Sequence, residues 1–210
     1  MHKRPLATRF PHSIALAVET GKPLAYVAVE EIGTPGADGD LSKVGIVEMS
    51  LGAVGPAEFP YIADELIHPG FRLDKTLENE VGITNRGLRG MPTWPEFWAT
   101  GARKVLTECL VVGMPETREA LAAIDRQLAR FEMPVVSWDW VDVLAFYRSN
   151  TDEAWSGSLV DIATALGVDR PTTRRRTTNE TALTVRVFER LLANYGPGRL
   201  SITRRIWSTT

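Results

Sequence analysis

Ser156-Gly-Ser-Leu-Val-Asp-Ile-Ala-Thr-Ala-Leu-Gly-Val168 reads as a short helix with a defined stop. Leu159, Ile162, Ala163 and Leu166 recur at i, i+3, i+4 and i+7, which lines one helix face with apolar side chains. Gly167 closes the segment, as glycine does where a helix ends. The arginine run 174–176 follows, and then a second helix is predicted over 179–194, capped at Thr178 or Asn179 and stopped by Gly196-Pro197. Helix, basic loop, helix is the unit from which the rest of the chain is read.

Upstream, the pattern changes to strands. Leu24–Ile32 is an apolar run ending in acids, followed by a Gly/Pro/Asp-rich loop over Gly33–Asp40. Val44–Val54 resumes as a strand, and Tyr61–Ile67 makes a third, stopped by His68-Pro69-Gly70. Loops this short between successive strands imply an antiparallel meander. Ser13–Glu19 is predicted as a further strand ahead of a turn at Gly21-Lys-Pro23. Helices are predicted at Leu77–Val81, at 94–104 behind the capping-box spacing of Thr93 and Glu96, and from Pro115 to about Phe131. Val105–Val112 and Pro134–Ser137 are predicted strands, and Trp138–Tyr147 a helix. Strands first, then helices alternating with short strands, describe an α/β fold with a mixed sheet, the layout of the ribonuclease-H-like fold.

The 210 residues, 44% hydrophobic, suffice for one core, so a single domain over 23–195 is expected, with an N-terminal extension 1–22 and a basic C-terminal tail 196–210. No apolar run is long enough to span a bilayer. Met1-His-Lys-Arg-Pro5 lacks the apolar region of a secretory signal, and one cysteine, Cys109, excludes an internal disulfide. A cytoplasmic protein is the expectation. The net charge of −2 conceals an asymmetry: residues 170–210 carry nine Arg against Glu180 and Glu189, while the remainder carries 15 basic and 24 acidic residues. Such a basic segment suits a phosphate backbone, an acidic partner, or the chain's own acidic body. Trp94 and Trp98, and Trp138 and Trp140 around Asp139, offer either base-stacking surfaces or core.

Five segments, in order, resemble the DnaQ-like 3′–5′ exonucleases of the proofreading type across most of residues 24–195. Val27–Thr34 resembles the family's first strand, which runs into Asp-x-Glu-Thr-Thr-Gly, and Gly45-Ile-Val-Glu-Met49 resembles the second. His68-Pro-Gly70 sits where the family has Asn-Pro-Gly, and Glu80-Val-Gly-Ile-Thr84 resembles Ile-His-Gly-Ile-Thr. Ser158–Gly167 is similar to Ser-Leu-x-x-Leu-Ala-x-x-Leu-Gly. The resemblance implies two divalent cations about 4 Å apart, held by four carboxylates, with a histidine as general base.

The family's site residues transfer incompletely. Val29 stands for the first acid and Glu31 for the second; shifting by one residue offers Glu30 with Ile32 instead. A competing first strand, Ile14-Ala-Leu-Ala-Val-Glu-Thr-Gly21, places Ala17 at the first acid. The middle motif falls on Gly113-Met-Pro-Glu-Thr-Arg118, so Arg118 replaces an acid, with Glu116 or Glu119 as substitutes nearby. Glu180 takes the last acid's place, where it also follows a predicted N-cap, and Arg175 takes the histidine's. The resemblance therefore implies an exonuclease frame with an impaired site, binding single-stranded nucleic acid or serving in a nucleic-acid-processing complex. Arg174, Arg175 and Arg176 are the expected phosphate contacts. If the chain is silent no cofactor is implied; if active, Mg²⁺ or Mn²⁺ would be held by Glu31 and Glu180. A protein-interaction module without catalysis is the remaining reading.

Overall fold

The computed structural model describes residues 10–55, 62–151, 157–173 and 175–205. It opens with helix α1 (Pro11–Thr20), followed by strands β1 (Leu24–Ile32), β2 (Gly45–Val54) and β3 (Ile62–Leu66). Helices α2 (Lys75–Val81), α3 (Trp94–Phe97) and α4 (Arg103–Glu108) lead to β4 (Leu110–Gly113). Then come α5 (Pro115–Arg130), β5 (Trp138–Asp142), α6 (Val143–Asn150), α7 (Leu159–Ala165), α8 (Arg176–Tyr195) and β6 (Ile202–Arg205). The mixed sheet runs β3-β2-β1-β4-β5-β6. β1–β3 form the expected antiparallel meander, β4 is parallel to β1 and β5, and β6 is antiparallel to β5.

β1 is central, and its apolar run reflects cover on both faces. Leu24 and Tyr26 join one core with residues of α1, α6, α7 and α8, including Leu16, Phe146, Ile162, Phe188 and Leu191. Ala25 and Val27 join the opposite core with Trp94, Leu106, Ile124 and Trp138. Phe188 meets Tyr26 and Phe146 edge-on, with ring centroids 6.5 and 6.1 Å apart. Trp94, Trp98 and Trp138 are buried, so they serve as core and offer no stacking surface.

Helix α7 forms as its sequence implies. The Ser158 hydroxyl and Asp161 carboxylate satisfy each other's backbone N–H groups, and Ile162 and Ala163 are wholly buried. Gly167 adopts φ 62°, the left-handed value at which a side chain would be strained.

Several boundaries differ from the sequence reading. Ser13–Glu19 is helical within α1, because Ser13, Leu16 and Ala17 are buried at helical spacing rather than alternately. Glu189 of α8 accepts hydrogen bonds from the N–H groups of His12 and Ser13 (2.9 and 2.8 Å), capping α1 from outside the segment. The competing first strand ending at Gly21 is thereby removed. Val105–Glu108 is not extended: α4 runs to Glu108, and only Leu110–Gly113 forms the strand. The predicted 94–104 helix is interrupted by a wide π-type turn over Trp98–Ala102, where Gly101 takes φ 138°.

Pro134–Ser137 carries no strand; β5 instead occupies Trp138–Asp142, the first half of the expected helix. Trp138 and Trp140 point into cover while Asp139 does not, a strand alternation. Asp142 then caps α6 by accepting from the Ala145 N–H at 2.9 Å. Helix α8 begins at Arg176, earlier than the expected cap at Thr178 or Asn179. The Asn179 amide ties down the preceding loop through both polar atoms of the Thr173 backbone. Glu180 therefore lies in the second turn, beyond reach of the helix-end effect. Within the basic tail, Ile202–Arg205 pairs with β5 as β6, with Val141 opposite Ile202 and Trp138 opposite Arg205. Among the described residues, no helix is long and apolar enough to cross a membrane.

Candidate active-site cleft

A cleft of about 540 Å³ opens at the end of β1, walled by α5, the start of α7 and the first turns of α8. Val29 and Glu31 line it from β1, Glu119, Ala120, Ala123 and Arg126 from α5, and Arg176 and Glu180 from α8. Arg170 reaches it from the loop between α7 and α8. The frame thus brings together four of the sequence-predicted site residues, the acids Glu31, Glu119 and Glu180 and the basic Arg176. A β-bulge between Glu30 and Glu31 bends the strand at this point.

Both oxygens of Glu31 are engaged. Arg126 donates Nε to Oε1 at 2.9 Å and Nη2 to Oε2 at 2.5 Å, a two-pronged guanidinium–carboxylate pair. Arg126 sits one helical turn from Ala123 on α5, so its position follows from helix geometry alone. The bonded carboxylate holds the Arg126 guanidinium above its ordinary pKa, more than offsetting partial burial. Val29 contributes methyl groups at the position where the family resemblance implies an acid. Among the described residues, no three His, Cys, Asp or Glu side chains are grouped so as to hold a metal ion.

Arg118, the residue at the family's middle acid, does not enter the cleft. It lies on another face of α5, donating Nη2 to Asp142 Oδ2 at 2.9 Å with its guanidinium 5.9 Å from the Trp140 ring. The side chain of Glu116 and all of Arg174 lie outside the described residues.

The two remaining arginines of the run diverge. Arg176 lines the cleft and is largely exposed, its Nη1 3.4 Å from Glu30 Oε2. Arg175 turns to the sheet instead, donating Nη1 to the Asp64 carbonyl at 2.5 Å and to Asp64 Oδ1 at 3.1 Å, with Nε 3.7 Å from Glu48. The need for this is electrostatic: Glu30 and Glu48 are direct partners across β1 and β2, an unfavourable pairing of like charges. Burial pushes the Glu48 carboxyl above its ordinary pKa, and the Arg175 charge opposes that shift. Sequence reasoning missed Arg126, Arg170, Glu48 and Asp64. Only Arg126 left a signal, by sharing a helical stripe with Glu119 and Ala123.

No protein-family model and no curated protein sequence matches the chain. Solved structures do. The nuclease domain of 3′hExo, described as a DEDDh family member bound to rAMP, superposes with a TM-score of 0.66 at 13% identity, over 86% of this chain and 96% of that one. Pop2p of S. pombe, in a form binding Mg²⁺ and Mn²⁺, gives 0.57 at 14%, over 90% of each chain. Yeast CAF1, crystallised with the NOT1 MIF4G domain, gives 0.56 at 14%, over 91% of this chain and 86% of that one. These likenesses show the fold, a ribonuclease-H-like mixed sheet shared with these solved structures.

Proposed function

We propose that this chain is an exonuclease-fold protein in which cleavage is impaired and binding of single-stranded nucleic acid is kept, alone or as a subunit of a nucleic-acid-processing complex. The observation that carries this reading is the capture of Glu31 by Arg126. A pair of divalent cations requires a cluster of hard oxygen donors. In the cleft Val29, Ala120 and Ala123 offer none, and the oxygens of Glu31 already accept from a guanidinium. These residues do not fit a two-cation centre. Arg170 and Arg176 at the same cleft supply cationic donors for a phosphate backbone. Arg175 helps by anchoring the loop before α8, and Arg174 belongs to the same basic segment. Cytoplasmic residence accords with a lone buried thiol, that of Cys109.

One observation favours an alternative. Glu31, Glu119 and Glu180 line a single cleft, so a shift of Arg126 would leave a rearranged carboxylate cluster able to bind Mg²⁺ or Mn²⁺ as an active exonuclease. Purified protein incubated with end-labelled single strands and either cation separates the two readings. Our reading predicts intact strands, together with salt-dependent binding that weakens in Arg170→Gln/Arg176→Gln. Digestion that disappears in Glu31→Gln/Glu180→Gln would establish the enzyme. Absence of any salt-dependent binding would favour a protein-interaction module.

A further inference from the structure

A second cavity, about 550 Å³, opens on the other side of α5, enclosed by β5, α6 and the segment entering β6. It is lined by Arg118 and Arg199, by the aromatic rings of Trp140 and Phe146, and by Asp142 with hydroxyl-bearing Ser149, Ser201 and Thr203. Three distant parts of the chain meet here, and β6 supplies one wall. The exonuclease cleft uses none of these residues.

The chemistry is that of an anion site. Asp142 spends one oxygen on the Ala145 N–H and the other on Arg118, so its charge is satisfied internally. Arg118 is held by that carboxylate on one side and lies against the Trp140 face, while its side chain remains 49% exposed. Arg199 is fixed by donating Nη1 to the Ser149 carbonyl at 2.5 Å. Among the described residues each guanidinium uses few of its five N–H donors, which leaves a fork for a phosphoryl group. Among the described residues lining the cavity, two fixed cations stand against one committed carboxylate, an excess of positive charge. Its volume falls within the range of ~300–1,000 Å³ typical of small-molecule sites. The hydroxyl-bearing side chains of Ser149, Ser201 and Thr203 beside the two arginines suit the sugar of a nucleotide.

We propose that this cavity binds the phosphoryl group of a nucleotide, without a metal ion, at a site separate from the exonuclease cleft. The phosphate arrives either on a free mononucleotide or on a strand that leaves the cleft across α5. Arg118 and Glu119 are neighbours in sequence but face the two different cavities, which makes the second route short.

Calorimetric titration of the full chain with AMP, and separately with a short single-stranded oligonucleotide, both in EDTA, tests the assignment. Arg199→Gln and Arg118→Gln are each expected to weaken binding of at least one ligand by about tenfold. Arg103→Gln, on the exposed side of α4 and outside both cavities, should leave AMP binding unchanged. Loss confined to AMP identifies a free nucleotide, and loss confined to the oligonucleotide identifies a strand. The assignment is overturned if neither ligand binds, if both bind equally well to Arg118→Gln and Arg199→Gln, or if Arg103→Gln or Arg176→Gln abolishes AMP binding. Arg199→Lys guards against misfolding as the cause: it keeps the charge but loses the fork, and partial recovery of affinity is the expected result. AMP and strand binding that both survive in the two cavity variants, with strand binding failing in Arg170→Gln/Arg176→Gln, would leave the cleft reading standing while removing this one.

Discussion

The α7–α8 frame and the end of β1 lie side by side in the fold and obey different rules. In the frame, Ile162, Ala163, Phe188 and Leu191 are wholly buried at positions set by helical period, and their role is volume. At the end of β1, Val29 and Glu31 occupy places set by the strand, yet their chemistry depends on what faces them. An apolar frame tolerates many sequences that preserve size and pattern. A polar site changes character when one opposing side chain changes charge. The frame can therefore persist while the cleft is rebuilt.

That contrast can be broken by experiment. Phe188→Ala should be the most damaging change, costing about 3–5 kcal/mol by emptying space between Tyr26 and Phe146. Urea denaturation measures this, and a loss below about 1 kcal/mol would deny the frame its dominance. The cleft should respond less. Glu31→Gln/Arg126→Leu removes both members of a part-exposed ion pair, and about 1 kcal/mol or less should be lost. A loss as large as that of Phe188→Ala would make the pair part of the frame. Adding Asp at Val29 and removing Arg126, as Val29→Asp/Arg126→Ala, should yield measurable Mn²⁺ binding by calorimetry where the parent chain gives none.

The smallest effect is expected at the opposed acids of β1 and β2. Burial raises the Glu48 pKa, so the folded chain holds that proton more tightly than the unfolded chain does. The associated stability is fully present below the unfolded pKa and is lost as pH rises through the folded one. Relative to the parent, Glu48→Gln should accordingly gain melting temperature as pH rises from about 4 to about 7. A difference that stays flat, or falls, would mean that the Arg175 charge outweighs burial.

Legibility in the sequence follows the same divide. β1, β2, α2, α5 and α7 could be read because each carries its own period and its own stop, such as Gly82 after α2 and Gly167 after α7. α1 could not, since Ile14–Val18 suits a strand until Glu189 of α8 caps its start. β5 was hidden because Trp138–Tyr147 spans a strand and a helix joined at the Asp142 cap. The mixed sheet was legible from element order. Glu31, Glu119 and Glu180 were each legible as acids, and that they share one cleft rests on the fold. The pairing of Glu31 with Arg126 spans 95 residues of chain and has no local signature.

β6 gives the sheet a late seal. Residues 202–205 cover the side of β5 that would otherwise present the open backbone groups of Trp138–Val141 to other chains. During synthesis that side stays bare until these residues have emerged, long after β1–β5 have been made. The newborn chain thus passes through a sticky interval that ends only when β6 zips into place.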